Sequence, residues 1–260
     1  YLEKPLAIGL DEAQNLLALW RDTNLVDMIG FNYRFDPLYV RLREKIQGNV
    51  LGEPIAVRTV FSTAAKTLPL WKQKRRSGGG VLLDLASHHI DLVRLIFGQE
   101  ISEVSAEMRS EQSEDDNAVL QIRMENDLLI QSFFSLNSVE EDKIEIYGQS
   151  GKLLADRYVF TDIKIDGPHL DLVRVKQLRH AFWSLVASLN PLKRLRGPHY
   201  LQSYRSAFEH FAACVQNGQP ASPNFKDGYQ SLLVIDAAEQ SARTGSPVAL
   251  EERISEDIAY

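Results

Sequence analysis

A chain of 260 residues that is 44% hydrophobic and 25% charged has the balance of a globular protein, built as one large domain or two small ones. Its net charge of −6 and pI near 5.6 supply no overall field for nucleic acid, and no apolar run reaches membrane-spanning length. Cys214 is the single cysteine, which excludes an internal disulfide framework and suits a reducing, cytoplasmic setting.

Tyr1 stands where an initiator Met would be and runs straight into Leu-Glu-Lys-Pro-Leu-Ala, so sequence upstream is expected. Residues 3–7 end an extended piece. Residues 11–23 follow as an amphipathic helix with Ala13, Leu16, Leu17, Leu19 and Trp20 on one side, and residues 26–32 read as a short buried strand. That unit has the form of the last crossover of a parallel α/β sheet whose other strands are not in the chain. Pro37 opens a second helix, to about Gln47, and residues 51–54 turn it into a strand over 55–63.

Residues 71–80 form a loop carrying Lys72, Lys74, Arg75 and Arg76 before three glycines. Two readings stand for it: a solvated loop, or an anion-binding rim leading to a helix N-terminus. Residues 81–97 then carry apolar side chains at three- and four-residue steps, a buried helix closed by Gly98. Within it Asp84 and His88 stand four apart and share a face, a pairing suited to proton transfer with a hydroxyl. A satisfied core hydrogen bond is the plain alternative. His89 and Asp91 point to other sides, Asp91 within reach of Arg94, and replacing His89 or His210 by alanine is expected to be mild. Asp84, His88 and His89 have ligand chemistry, but no further ligand sits at a recognisable spacing, and no metal is expected.

From Ile101 the period changes to two. Residues 101–109, 118–124, 128–136, 143–147 and 151–156 alternate, with turn residues between them, as an antiparallel meander joined by the 55–63 strand and by residues 159–165. One face is expected to lie on helices and the other, with Phe133 and Leu136, to meet a partner subunit in a homodimer or homotetramer. Residues 170–196 read as a lid or dimer-contact helix in preference to a membrane-surface helix. Two helices end the chain, over 200–217 up to Gly218 and from a cap at Lys226 or Asp227 to Gly245, before an extended tail.

In order along the chain, Glu3-Lys4-Pro5, Gly30-Phe31-Asn32-Tyr33-Arg34, Leu51-Gly52-Glu53-Pro54, Trp71, Gly78-Gly79-Gly80, Asp84-x-x-x-His88-x-x-Asp91 and Ala237-Ala238-x-x-Ser241-Ala242-x-x-Gly245 resemble the Gfo/Idh/MocA family of nicotinamide-dependent oxidoreductases. The resemblance implies that residues 1–35 are a remnant of a Rossmann domain and 36–260 a substrate-binding and oligomerisation domain. The architecture would be an α/β crossover followed by an open, mainly antiparallel sheet with helices on one face. The family's G-x-G-x-x-G turn occurs nowhere in these residues, and the resemblance places it before Tyr1.

Carried over residue by residue, it implies Lys4, Asp84 and His88 as catalytic, Glu3, Lys4, Pro5, Trp71 and Lys72 as cofactor-binding, and Tyr33 and Arg34 as substrate-binding. Lys72 stands where many members have Arg. The implied activity is NAD- or NADP-dependent oxidoreduction at a hydroxyl of a sugar, cyclitol or nucleotide sugar. The 260 residues alone are expected to bind the cofactor weakly and to be inactive. The rival readings are an NAD-using glycosidase or epimerase of the same family, and a non-catalytic dimerisation module.

Overall fold

Residues 1–21, 23–159, 162–167 and 199–250 are described in the computed structural model of the chain. At its start Leu2 N–H donates to Met28 O at 3.0 Å and Gly30 N–H to Leu2 O at 2.7 Å, a single parallel bridge between Leu2 and Ile29. The expected strand over 26–32 is no longer than that, because the chain turns at Asn32 into a 3-10 helix, Asn32–Phe35. Helix α1, Leu10–Arg21, joins the two sides of the bridge, with Asp11 and Glu12 at its positive end and Arg21 at its negative end. It buries Ala13 and Leu17, whereas Leu19, grouped with them from sequence, is 73% exposed on the opposite side.

Helix α2, Pro37–Gln47, starts where proline allows it: Asp36 is held extended ahead of Pro37, and its carboxylate accepts from Leu38 N–H at 2.9 Å. Strands β1 (Pro54–Ser62), β2 (Ile101–Arg109), β3 (Asn117–Met124), β4 (Leu129–Ser135), β5 (Glu141–Gly148), β6 (Gly151–Asp156), β7 (Lys164–Asp166) and β8 (Val248–Ala249) make one open sheet, ordered β7-β6-β5-β1-β4-β3-β2-β8. Every pairing is antiparallel except β1 with β4, so β1 lies between the consecutive strands β4 and β5 and interrupts the meander.

Strand alternation sets Val57, Phe61, Val104, Leu120, Ile122, Ile130, Phe134, Ile144, Ile146 and Leu153 on one buried face. Helices α2, α3 (Ser87–Phe97) and α5 (Phe225–Thr244) pack there in one continuous core, which also takes in Leu6, Ala13 and Leu17. The opposite face carries Arg58, Gln121, Gln131 and Glu145 around Val60, Val119 and Phe133. Leu136 is not on it but in the core.

Helix α5 is capped by Asn224, not by Lys226 or Asp227: the Asn224 side chain accepts from Asp227 N–H at 3.1 Å, and the Asp227 carboxylate accepts from Asn224 N–H at 2.9 Å. Helix α4, His199–Asn217, packs on a smaller cluster of Met28, Ala207, Cys214 and Ala221, where the Tyr1 ring meets Phe208 and Phe211. The lid or dimer-contact helix expected over 170–196 lies outside the described residues. No helix among the described residues is long and apolar enough to cross a membrane.

Candidate active site

Three segments far apart in sequence converge at the N-terminal end of α3: the Lys4 turn, the 3-10 helix at Leu70–Gln73, and residues 80–88. Gly78 and Gly80 take φ of +93° and +94°, which suits glycine, and Gly79 lies against the carbonyls of Lys72 and Lys74 with no room for a side chain. Beyond them Leu82–Ala86 wind as a π-helical turn before α3 begins. The wider turn removes the simple four-residue register expected of Asp84 and His88. The Asp84 carboxylate is held by Lys72 Nζ at 2.8 and 2.9 Å and lies 3.6 Å from Lys4 Nζ, and no hydrogen bond joins it to His88.

Lys4 Nζ donates to the backbone carbonyls of Asp84 and Leu83, so a nearly buried ammonium sits against the π turn. Burial pulls the Lys4 pKa below the usual lysine value; Asp84 opposes this and the neighbouring Lys72 cation adds to it. For Asp84, burial pushes upward, but the Lys4 and Lys72 cations outweigh it and hold the carboxyl below its ordinary range. His88 is 8% exposed, and burial, then the charges of Lys4, His89 and Arg157, hold its pKa well below 6.5. The imidazole is therefore neutral at neutral pH.

Its Nδ1 has no hydrogen-bond partner among the described residues. Aromatic neighbours hold the ring: Tyr33 stacks on it at 4.3 Å between centroids and 18° between planes, and Phe61, tilted, and Phe31, edge-on, each lie at 6.4 Å. Tyr33 is buried: its hydroxyl donates to Asp142 Oδ2 at 3.0 Å and accepts from Arg157 Nη1 at 2.6 Å. Arg34, the other expected substrate residue, is engaged by Asp91, Asp227 and Ser222. This is a structural strut between α3 and the start of α5; Asp91 also keeps the expected ion pair with Arg94, at 3.9 Å, with Arg34 as its closer partner.

Trp71 is 54% exposed, with Lys72 Nζ 5.4 Å from its ring centroid. Glu3 lies over Gly30, where a Cβ would come 2.7 Å from Glu3 Oε2. Of the basic loop, Lys72 serves Asp84, and Arg75 pairs with Glu239 and donates to Ile8 O at 3.1 Å, so at least half of the expected anion rim is neutralised from within.

Asp142, in β5, is a central residue that the sequence reading passed over. Fully buried, it accepts from Tyr39 Oη at 2.6 Å and His89 Nε2 at 3.0 Å on one oxygen, and from Tyr33 and Arg157 on the other. Burial alone would raise its pKa, but the His89 hydrogen bond and the Arg157 charge bring it below the ordinary carboxylate range. Its signal was there in sequence: Asp142 is in phase with Ile144 and Ile146, a carboxylate on the inward side of a strand.

Residues 43–250 match the profile described as oxidoreductase family, C-terminal alpha/beta domain. The chain belongs to the Gfo/Idh/MocA family. Among curated members, myo-inositol 2-dehydrogenase of Thermotoga maritima is 26% identical over 263 residues, 98% of this chain and 73% of that protein. The scyllo-inositol 2-dehydrogenase (NAD(+)) of Bacillus subtilis is also 26% identical, over 96% of this chain and 70% of its own. A crystal structure of a probable dehydrogenase from Thermotoga maritima superposes with a TM-score of 0.73 at 25% identity, covering 96% of this chain and 72% of that one. The open sheet with helices on one face is thus the architecture of the family's C-terminal domain.

Proposed function

We propose that this chain carries the proton-transfer side of an NAD- or NADP-dependent dehydrogenase that acts on a secondary hydroxyl of a sugar or cyclitol. The observation that carries the reading is the meeting of Lys4, Lys72 and Asp84 beside a neutral, buried His88. Inositol dehydrogenases among the relatives support the substrate class and, in one name, NAD.

The residues present fit the reacting end of a nicotinamide cofactor: an exposed indole at Trp71 with the Lys72 cation beside it, the Glu3-Lys4-Pro5 turn, and an unsatisfied buried imidazole nitrogen. The chemistry such a cofactor supplies when bound is hydride exchange with the carbinol carbon. The chain's own residues handle the proton and the charge. A carbinol gives up hydride only as its hydroxyl loses a proton, and neutral His88 is the group able to accept it. Lys4, held by two backbone carbonyls, offers a fixed positive charge to the developing alkoxide. Asp84 keeps both lysines in place and has oxygen lone pairs left for a neighbouring substrate hydroxyl. Assembly through the face carrying Val60, Val119 and Phe133 belongs to the same proposal.

The test is His88→Ala in protein with measurable hydride transfer on inositols, aldoses and nucleotide sugars. Turnover should fall by roughly 10²- to 10⁴-fold, with cofactor binding by calorimetry retained. Nearly full turnover in that variant would reject the assignment.

A further inference from the structure

We propose that Tyr33 and Arg157 are positioning residues for His88, anchored together on Asp142. The inference rests on the reading of His88 as the proton acceptor and extends it to the groups that hold its ring. An imidazole that transfers protons usually has its second nitrogen fixed by a hydrogen bond, which sets tautomer and ring angle. Here Nδ1 has none among the described residues, and the Tyr33 ring, stacked on the imidazole face, holds the ring plane in its place.

The Tyr33 ring cannot tilt freely. Its hydroxyl is tied to Asp142 Oδ2 and Arg157 Nη1, and the Arg157 guanidinium carbon lies 4.3 Å from the ring centroid. Arg157 also donates to Asp142 at 3.3 Å and, through Nε, to Asp36 Oδ2 at 3.3 Å. Asp36 caps α2, and Asp142 is gripped by Tyr39 and His89 as well. A turn just beyond β6 is thereby coupled through one phenol ring to the head of α3.

The charged and titratable groups around His88 are Lys4 from the N-terminal turn, Tyr33 from the 3-10 helix stacked on its ring, Lys72 from the Leu70–Gln73 helix, Asp84 from the π turn, His89 from α3 itself, Asp142 from β5, and Arg157 from the β6 turn. Asp91 and Arg94 on α3 are engaged by Arg34 and Glu100. Arg157 thus has two effects on His88, holding its ring plane through Tyr33 and disfavouring its protonation.

The experiment uses ¹³C-histidine NMR on the full chain, with the His88 signal among six histidines assigned by its loss in His88→Gln. It is paired with kcat and KM for Arg157→Gln, Arg157→Lys and Tyr33→Phe, measured in protein with hydride-transfer activity. Arg157→Gln should move the His88 titration upward and lower kcat roughly tenfold with KM for cofactor unchanged, as expected for a misplaced group. Arg157→Lys keeps the charge and should restore the titration while kcat stays low. Tyr33→Phe keeps the ring and removes the tether, so kcat should fall while the fold stands, and it decides the matter if Arg157→Gln does not fold. Unchanged His88 titration together with unchanged kcat in the folded variants would overturn the proposal. If His88→Gln itself keeps full turnover, the reading of His88 as the proton acceptor falls instead, whatever the titrations show.

Discussion

A single methyl group at Gly79 tests how tightly the glycine turn is coupled to the site. A Cβ there would lie 2.2 Å from Lys72 O, 2.7 Å from Lys72 C and 2.9 Å from Lys74 O, all backbone atoms that no side-chain rotation can clear. Restoring an ordinary contact of about 3.4 Å requires the segment 72–74 to retreat by a little over about 1 Å, an overpacking cost of about 1–3 kcal/mol. Lys72 travels with that backbone. Its bonds to Asp84, now 2.8 and 2.9 Å, would stretch beyond hydrogen-bonding range. A displacement of about 1 Å at a catalytic constellation costs up to about 10²-fold in rate. Gly79→Ala should therefore lower both the urea midpoint and kcat/KM. Gly78→Ala is the control: its φ of +93° makes alanine strained, but the nearest atom to its Cβ is 3.7 Å away. It should lose about 1–2 kcal/mol of stability with the rate preserved. Wild-type kcat/KM in Gly79→Ala, or an equal loss of rate in Gly78→Ala, would refute the coupling.

Arg34→Ala leaves Asp91 buried without its main cation and should cost about 3–5 kcal/mol in urea unfolding, while the folded fraction binds substrate normally. Lys4→Met should cut turnover by roughly 10²- to 10³-fold in steady-state assays, the worth of one preorganised charge. Stability should also depend on pH with a definite sign. His88 is held below 6.5 in the fold, so its contribution is full above pH 6.5 and declines as pH falls below that, where the unfolded chain takes up the proton first; Asp142, held below 3.8, adds a second loss below that pH. Urea midpoints across pH 8 to 4 should show the first decline, and His88→Gln should flatten it.

Much of the fold was legible because each element announced itself locally. Strands β2 and β6 begin and end where alternation starts and stops, and Pro37, Gly98 and Gly218 stand at helix ends. What could not be read were contacts set by tertiary geometry. Nothing in the spacing of Asp84 and His88 signals a π turn, so their shared face gave way to a lysine pair on one residue and an aromatic stack on the other. His89 looked dispensable from its position on the helix. Its bond to Asp142 comes from a strand 53 positions away, and the mild effect expected of alanine there is at odds with a donor to a fully buried carboxylate. His210, expected on a helix surface, is part-buried against Phe35 and Cys214. Helix propensity cannot report which partner a polar side chain will meet.

The place of β1 in the sheet bears on how the protein assembles itself. The hairpins β2–β3, β3–β4 and β5–β6 join neighbours in sequence and can zip from their own turns. The two halves they form have no edge in common until β1 arrives, since Ala56 must find both Leu129 and Tyr147. Those pairings close loops of roughly 70 and 90 residues, and long loops are entropically costly before any contact rewards them. The docking of β1 is therefore the expected slow step of folding. Until it occurs, β4 and β5 each present an open edge, and the head of α3 lacks the Phe61 ring that His88 and His89 lie against. On this topology the head of α3 is among the last parts of the molecule to become fixed.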